Sequence, residues 1–248
     1  SVYPKTIDFH TENKEFENLA VFENQWNQAK KKLILIGGCN PNFISQSILD
    51  VLANDNSVVV MTEVTSNVHH PNFITNIDTI ITPFTEEDFI DFQPEILVTI
   101  GGMIVSKRIK AFLRKYKPQQ HWHIDELRAY DTFGCLSKHF EVSPNVFFNE
   151  LIPKMIPLES DYLQKTLAIK KQRAQKIETY LATIPFSDFK AFEIILPKLP
   201  LHSQLQISNS SAIRYAQLFA INPTIEVFCN RGTSGIDGST STAIGAAV

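Results

Sequence analysis

Between residues 33 and 124, short apolar runs alternate with stretches of helical spacing, and this alternation restricts the chain more than any other feature. The runs at 33–36, 58–61 and 96–100 are apolar nearly throughout, not at every second position. A strand of that kind is buried on both faces, and between helices it implies a parallel sheet covered on both sides. Further strands are expected at 79–81 and 121–124, and helices at 42–52, 86–92 and 106–116. The first 30 residues form a lead-in, with a helical pattern over 19–29. The fold class is therefore α/β: a doubly wound, Rossmann-like parallel sheet of about 150 residues.

Pro153 and Pro157 bracket a breaker segment, which places a domain boundary between 157 and 158. The first unit is then 1–157 and the second 158–248. Leu163, Leu167, Ala174, Ile177 and Leu181 mark one stripe of a long helix over 161–182, and a second helix over 188–196 stops at Pro197. A strand at 205–207 runs into Asn209-Ser210-Ser211, good N-cap chemistry for a helix reaching Phe219. A last strand at 225–228 leads to Asn230-Arg-Gly-Thr-Ser-Gly-Ile-Asp-Gly238 and a small-residue helix capped by Asp237 or Ser239. Glycines at 232, 235 and 238 let backbone approach a ligand, and free N–H groups at the start of a helix suit an anion.

Composition excludes several functions. With 23 basic and 26 acidic residues the net charge is −3, so no basic excess argues for nucleic acid. No apolar run approaches the roughly 20 residues of a membrane span, and no charged-then-apolar leader opens the chain. Cys39, Cys135 and Cys229 are far apart, as expected of free thiols in a cytoplasmic protein. The chain has no initiator Met and stops at Val248 within an apolar helix, so it is expected to be a fragment of a longer enzyme.

Candidate residues follow from chemistry. Lys107 and Arg108 open a helix just past a strand's carboxyl end, where the helix dipole disfavours positive charge. Arg231 stands at the mouth of the glycine loop with a planar fork suited to a carboxylate or phosphate. His121 and His123 alternate on one strand face with Asp125, but ordinary strand residues account for them. Asp125 and Glu126 are carboxylates at a strand end, a common placement. Gly37-Gly38-Cys39-Asn40-Pro41 lacks the GxGxxG spacing, so a dinucleotide is not expected.

The loop at 230–238, continued by Ser241-Thr242-Ala243-x-Gly245, resembles the signature of one thiamine-diphosphate enzyme family. That family is the 2-succinyl-5-enolpyruvyl-6-hydroxy-3-cyclohexene-1-carboxylate synthases of menaquinone biosynthesis. Asn209-Ser210-x-x-x-Arg214 and Gly101-Gly102-x-x-x-Ser106-Lys107-Arg108 match upstream, in the family's order. Cys229 and Thr233 depart from it, where Ser and Ala are common. The resemblance implies a central Rossmann-like domain followed by the first part of a pyrophosphate-binding domain, with thiamine diphosphate and Mg²⁺ as cofactors. It implies decarboxylation of 2-oxoglutarate and addition of the resulting succinyl carbanion to isochorismate. Lys107, Arg108 and Arg231 would bind substrate carboxylates; Asn209, Ser210, Ser234, Gly235, Ile236 and Asp237 would hold the cofactor. The activating glutamate and the metal motif would lie outside these residues, so the chain alone is expected to be inactive and to work within a homodimer or homotetramer. The alternatives are another thiamine-diphosphate lyase or decarboxylase, or a non-catalytic anion-binding module.

Overall fold

The computed structural model of the protein describes residues 19–232 and 235–247. Helix α1 (Ala20–Gln28) leads into β1 (Lys32–Ile36), α2 (Gln46–Ala53) and β2 (Val58–Thr62). Two short helices, α3 (Ile77–Ile81) and α4 (Glu86–Phe92), precede β3 (Ile96–Ile100). Helix α5 (Lys107–Lys115), β4 (Gln120–Ile124), β5 (Lys138–Phe140) and α6 (Pro144–Leu151) complete the first sheet. All its pairings are parallel, in the order β2-β1-β3-β4-β5. This is the doubly wound α/β architecture expected from the sequence, in the 2-1-3-4-5 variant whose switch point lies between β1 and β3.

The continuous apolar runs have the physical consequence foreseen for them. Ile34 and Ile36 face one buried layer with Val58, Val60, Val98 and Trp122; Leu33 and Leu35 face the other with Val59, Met61 and Leu97. Trp26 of α1 stacks on Trp122 at 6.1 Å between ring centroids, closing the first layer.

One element differs in kind from expectation. The strand expected at 79–81 is helix α3, because Ile77, Ile80 and Ile81 follow the i, i+3, i+4 helical period and are all buried on one side. The extended segment that does pair with β2 lies earlier, at Ile74 beside Met61. Two elements went unforeseen, the short edge strand β5 and α6.

After α6 come the long helix α7 (Tyr162–Thr183) and α8 (Asp188–Ile195). The first turn of α7 rests on the first sheet: Tyr162 is buried there and its hydroxyl donates to Phe92 O at 3.1 Å. Its far end meets α8, where Lys190 Nζ donates to Leu181 O at 2.7 Å. Strand β6 (Gln204–Ile207), α9 (Ser211–Ala216), β7 (Glu226–Cys229) and α10 (Ser239–Ala246) follow, with β6 and β7 paired in parallel. The N-cap of α10 is Gly238 at φ +75°, not Asp237 or Ser239. A left-handed residue at that point suits glycine, and the hydroxyls of Ser241 and Thr242 donate back to its carbonyl at 2.9 Å.

The turn after β2 ties the two sheets together. Asn67, itself left-handed, accepts from Val227 N at 2.8 Å and donates to Val227 O at 3.1 Å, as a neighbouring strand would. Val64 N donates to Gln217 Oε1 at 2.9 Å, joining the same turn to the end of α9.

Candidate active site

The carboxyl edge of the first sheet is shaped by two glycine pairs. Gly37-Gly38 leaves β1 and Gly101-Gly102 leaves β3, at the switch point where open α/β sheets gather ligands. Gly37 N donates to Ile100 O at 2.9 Å, and Gly102 N donates to Gly38 O at 2.8 Å. The pairs therefore pack backbone on backbone, and Gly101 takes φ +75° to do so.

The chain then runs to Ser106, the N-cap of α5, whose side chain accepts from Ile109 N at 3.1 Å and donates to Asp78. Lys107 and Arg108 follow, both exposed. They line a cleft of about 350 Å³ together with Arg214 of α9, Gln217 just past it, Asp78 and Glu63. Arg214, more than 100 residues along the chain from Lys107 and Arg108, thus lines one basic cleft with them.

Sequence reasoning missed Glu63. It follows β2 directly and is 3 % exposed. Its Oε1 accepts from Val105 N and Ser106 N, both at 2.8 Å, and Oε2 accepts from Val105 N at 2.7 Å. The carboxylate therefore sits where an anion would sit at the start of α5. Burial pushes its pKa up to about 7, against the pull of those amides and of the nearby Arg231 and Lys110 charges. The available signal was an acid placed immediately after an apolar run, at the carboxyl end of a buried strand.

Arg231, past the end of β7, lines a second and larger cavity of about 810 Å³ with Lys110, Arg114 and Arg128. Cys39 also lines this cavity, with burial pushing its thiol up to about 12. His123 reaches it from β4, while His121 behind it is buried and held down to about 4. Both rings meet the Thr99 hydroxyl, His121 Nε2 at 2.9 Å and His123 Nδ1 at 2.8 Å. Asp125 Oδ1 accepts from Leu127 N and Arg128 N, so it caps a turn. No group of His, Cys, Asp and Glu among the described residues is arranged to hold a metal ion.

Asn209 organises the glycine loop from beneath. It is 3 % exposed, and Nδ2 donates to Asn230 O at 2.7 Å and Gly235 O at 2.6 Å. Its Oδ1 accepts from Arg231 Nη1 at 2.7 Å and from Cys229 Sγ at 3.3 Å. One amide thus holds Asn230, Gly235 and the Arg231 guanidinium together. Asn209→Ala is expected to lower stability by about 2 kcal/mol, since it strands two loop carbonyls and removes the acceptor of the Arg231 Nη1 bond. Urea denaturation reads this directly.

Ser210 is exposed and adopts φ +68°, ψ −123°, a conformation uncommon for a side-chain-bearing residue. Ile236 and Asp237 are exposed at the loop's outer edge, and Ser234 lies outside the described residues. A Cβ at Gly232 would meet nothing within 4 Å among the described residues.

The family model for the middle domain of thiamine pyrophosphate enzymes matches residues 7–207. The chain belongs to that family. Over its whole length, this middle-domain chain is 80% identical to the 2-succinyl-5-enolpyruvyl-6-hydroxy-3-cyclohexene-1-carboxylate synthase of Flavobacterium psychrophilum and covers 45% of it. It is 60% identical over 251 aligned residues to the synthase so named in Flavobacterium johnsoniae, again covering 45% of it. The corresponding figures for Christiangramia forsetii are 50% identity over 252 residues and 43% of the relative. The resemblance carried by the glycine loop is thereby shown, and the chain spans a little under half the length of these curated relatives. No helix among the described residues is long and apolar enough to cross a membrane.

Proposed function

We propose that this chain forms the central domain and part of the pyrophosphate-binding domain, divided at 157/158, of a cytoplasmic, thiamine-diphosphate-dependent transferase. The reaction proposed is decarboxylation of 2-oxoglutarate with addition of the succinyl unit to isochorismate, which would form the 2-succinyl cyclohexene carboxylate that the names of its relatives print. The observation that carries this reading is the convergence of Lys107, Arg108 and Arg214 in one cleft, with Arg231 held at the adjoining loop. Both reactants carry several carboxylates, and fixed cations in a partly desolvated cleft are what recognises them.

The residues present fit the edge of the cofactor. Among the described residues nothing crowds Gly232 of the 230–238 loop, and Asn209, which holds that loop, is followed by Ser210 in a strained turn. Ser210, Ser234, Gly235, Ile236 and Asp237 would border the cofactor, with Asn209 setting the loop's shape. When bound, thiamine diphosphate supplies the stabilised carbanion that the chemistry requires. A ligand set for Mg²⁺ is not among the described residues, and no step here is routed through the metal. The working form proposed is a homodimer or homotetramer of the longer chain.

Arg231 is assigned to a carboxylate of the oxo acid. In the longer enzyme, Arg231→Ala should raise KM for 2-oxoglutarate about thirtyfold, the worth of one charge-assisted hydrogen-bond pair. Pyruvate, which lacks the second carboxylate, should be used poorly by both proteins. Unchanged KM for 2-oxoglutarate, or efficient turnover of pyruvate, would favour a different thiamine-diphosphate lyase.

A further inference from the structure

We infer that Glu63 is the positioning residue of the basic cleft, holding the backbone that carries Lys107 and Arg108 in register with Arg214 and Arg231. This rests on the carboxylate-binding reading of the cleft, and deepens it.

The geometry is that of a clamp. Both oxygens of Glu63 are occupied by the amides of Val105 and Ser106, the last two residues before Lys107. The residue's own backbone is fixed as well: Glu63 N donates to Ser66 Oγ at 2.9 Å, and that hydroxyl donates to Ile36 O of β1 at 2.7 Å. The neighbouring Val64 and Asn67 are bonded to Gln217 and Val227 of the second unit. One five-residue turn thus grips the start of α5 on one side and the elements leading to Arg214 and Arg231 on the other.

Charge adds a second consequence. Around Glu63 stand Lys110 of α5, Arg231 beyond β7 and, through Ser106, Asp78 of α3, with Lys107, Arg108 and Arg214 lining the same cleft. An ionised Glu63 offsets part of this positive field, and protonation removes the offset. An anion entering the cleft is therefore coupled to proton uptake at Glu63.

The test compares the chain with Glu63→Gln and Glu63→Ala. Amide hydrogen exchange at Val105 and Ser106, read by NMR without ligand, should accelerate ten- to a hundredfold in Glu63→Ala and much less in Glu63→Gln, whose amide oxygen still accepts. Titration with 2-oxoglutarate, a dianion from pH 6 to pH 8, should show tighter binding at the lower pH for the unsubstituted chain. Glu63→Gln should bind with no such dependence, and Glu63→Ala about tenfold more weakly at every pH. Exchange within twofold of the unsubstituted chain in Glu63→Ala would overturn the clamp. A pH dependence retained in Glu63→Gln would overturn the coupling. Failure of the unsubstituted chain to bind 2-oxoglutarate, with the exchange result as expected, would count against the carboxylate reading and leave the clamp standing.

Discussion

Gly37→Ala is expected to destabilise the protein by about 3 kcal/mol or more, because the added methyl has no space that rotamer changes can provide. A Cβ at this position would lie 2.1 Å from Gly102 O and 2.9 Å from Gly102 C, and backbone cannot swing aside as a side chain can. Moving Gly102 away would stretch the bond from its N–H to Gly38 O and the one from Gly37 N to Ile100 O. The cost therefore includes strand-end hydrogen bonds as well as overpacking. Gly38→Ala is the matched control: its Cβ would meet nothing nearer than Thr65 Oγ1 at 3.8 Å, so its stability should lie within about 1 kcal/mol of the parent. Urea denaturation of the three proteins separates close approach from a general preference for glycine. A Gly37→Ala protein as stable as Gly38→Ala would mean that the β1 and β3 loops do not touch. The same substitution should weaken anion binding, since the displaced segment continues into Val105 and Ser106.

The glycine pairs also illustrate what can be read from the chain. Their spacing lacks the GxGxxG pattern, and the reason for four glycines emerges only when two distant loops are seen to touch. The strands 33–36, 58–61 and 96–100 were legible because burial on both faces leaves a continuous apolar run. Strand β5, Lys138-His-Phe140, is short, lies at the sheet's edge and is polar in two of three positions, so it carries no such run. Helix α6 did carry a signal, Ser143 capping Val146 N at 3.3 Å with Pro144 in its first turn. At 79–81, three residues are too few to tell a strand from a helix turn, and tertiary burial of Ile77 and Ile80 decided the outcome. The meeting of Lys107, Arg108 and Arg214 is set by topology, which spacing along the chain does not encode. Glu63 was invisible for the opposite reason: a lone acid has no pattern until its amide partners are known.

Replacing Glu63 by Gln should remove a pH dependence of stability that the acid imposes, and this is the second large effect. The carboxyl titrates at about 7 in the folded protein against an ordinary 4.5, so folding favours the protonated form. The stability that this contributes is fully present below the unfolded-state value and is lost as pH rises through about 7. A shift of that size corresponds to about 3 kcal/mol in the limit, most of which falls between pH 5 and pH 8. Other titrating groups are common to both proteins, so the difference between them isolates this residue. Urea unfolding at the two pH values should find the unsubstituted chain losing roughly 2 kcal/mol relative to Glu63→Gln as pH rises. A difference that stays flat would mean that Glu63 is ionised at no cost, with Arg231 and Lys110 fully compensating its burial. The expected slope has a physical meaning for the site. A charged carboxylate binds the Val105 and Ser106 amides more strongly than a neutral amide does, yet its desolvation weakens the fold as a whole.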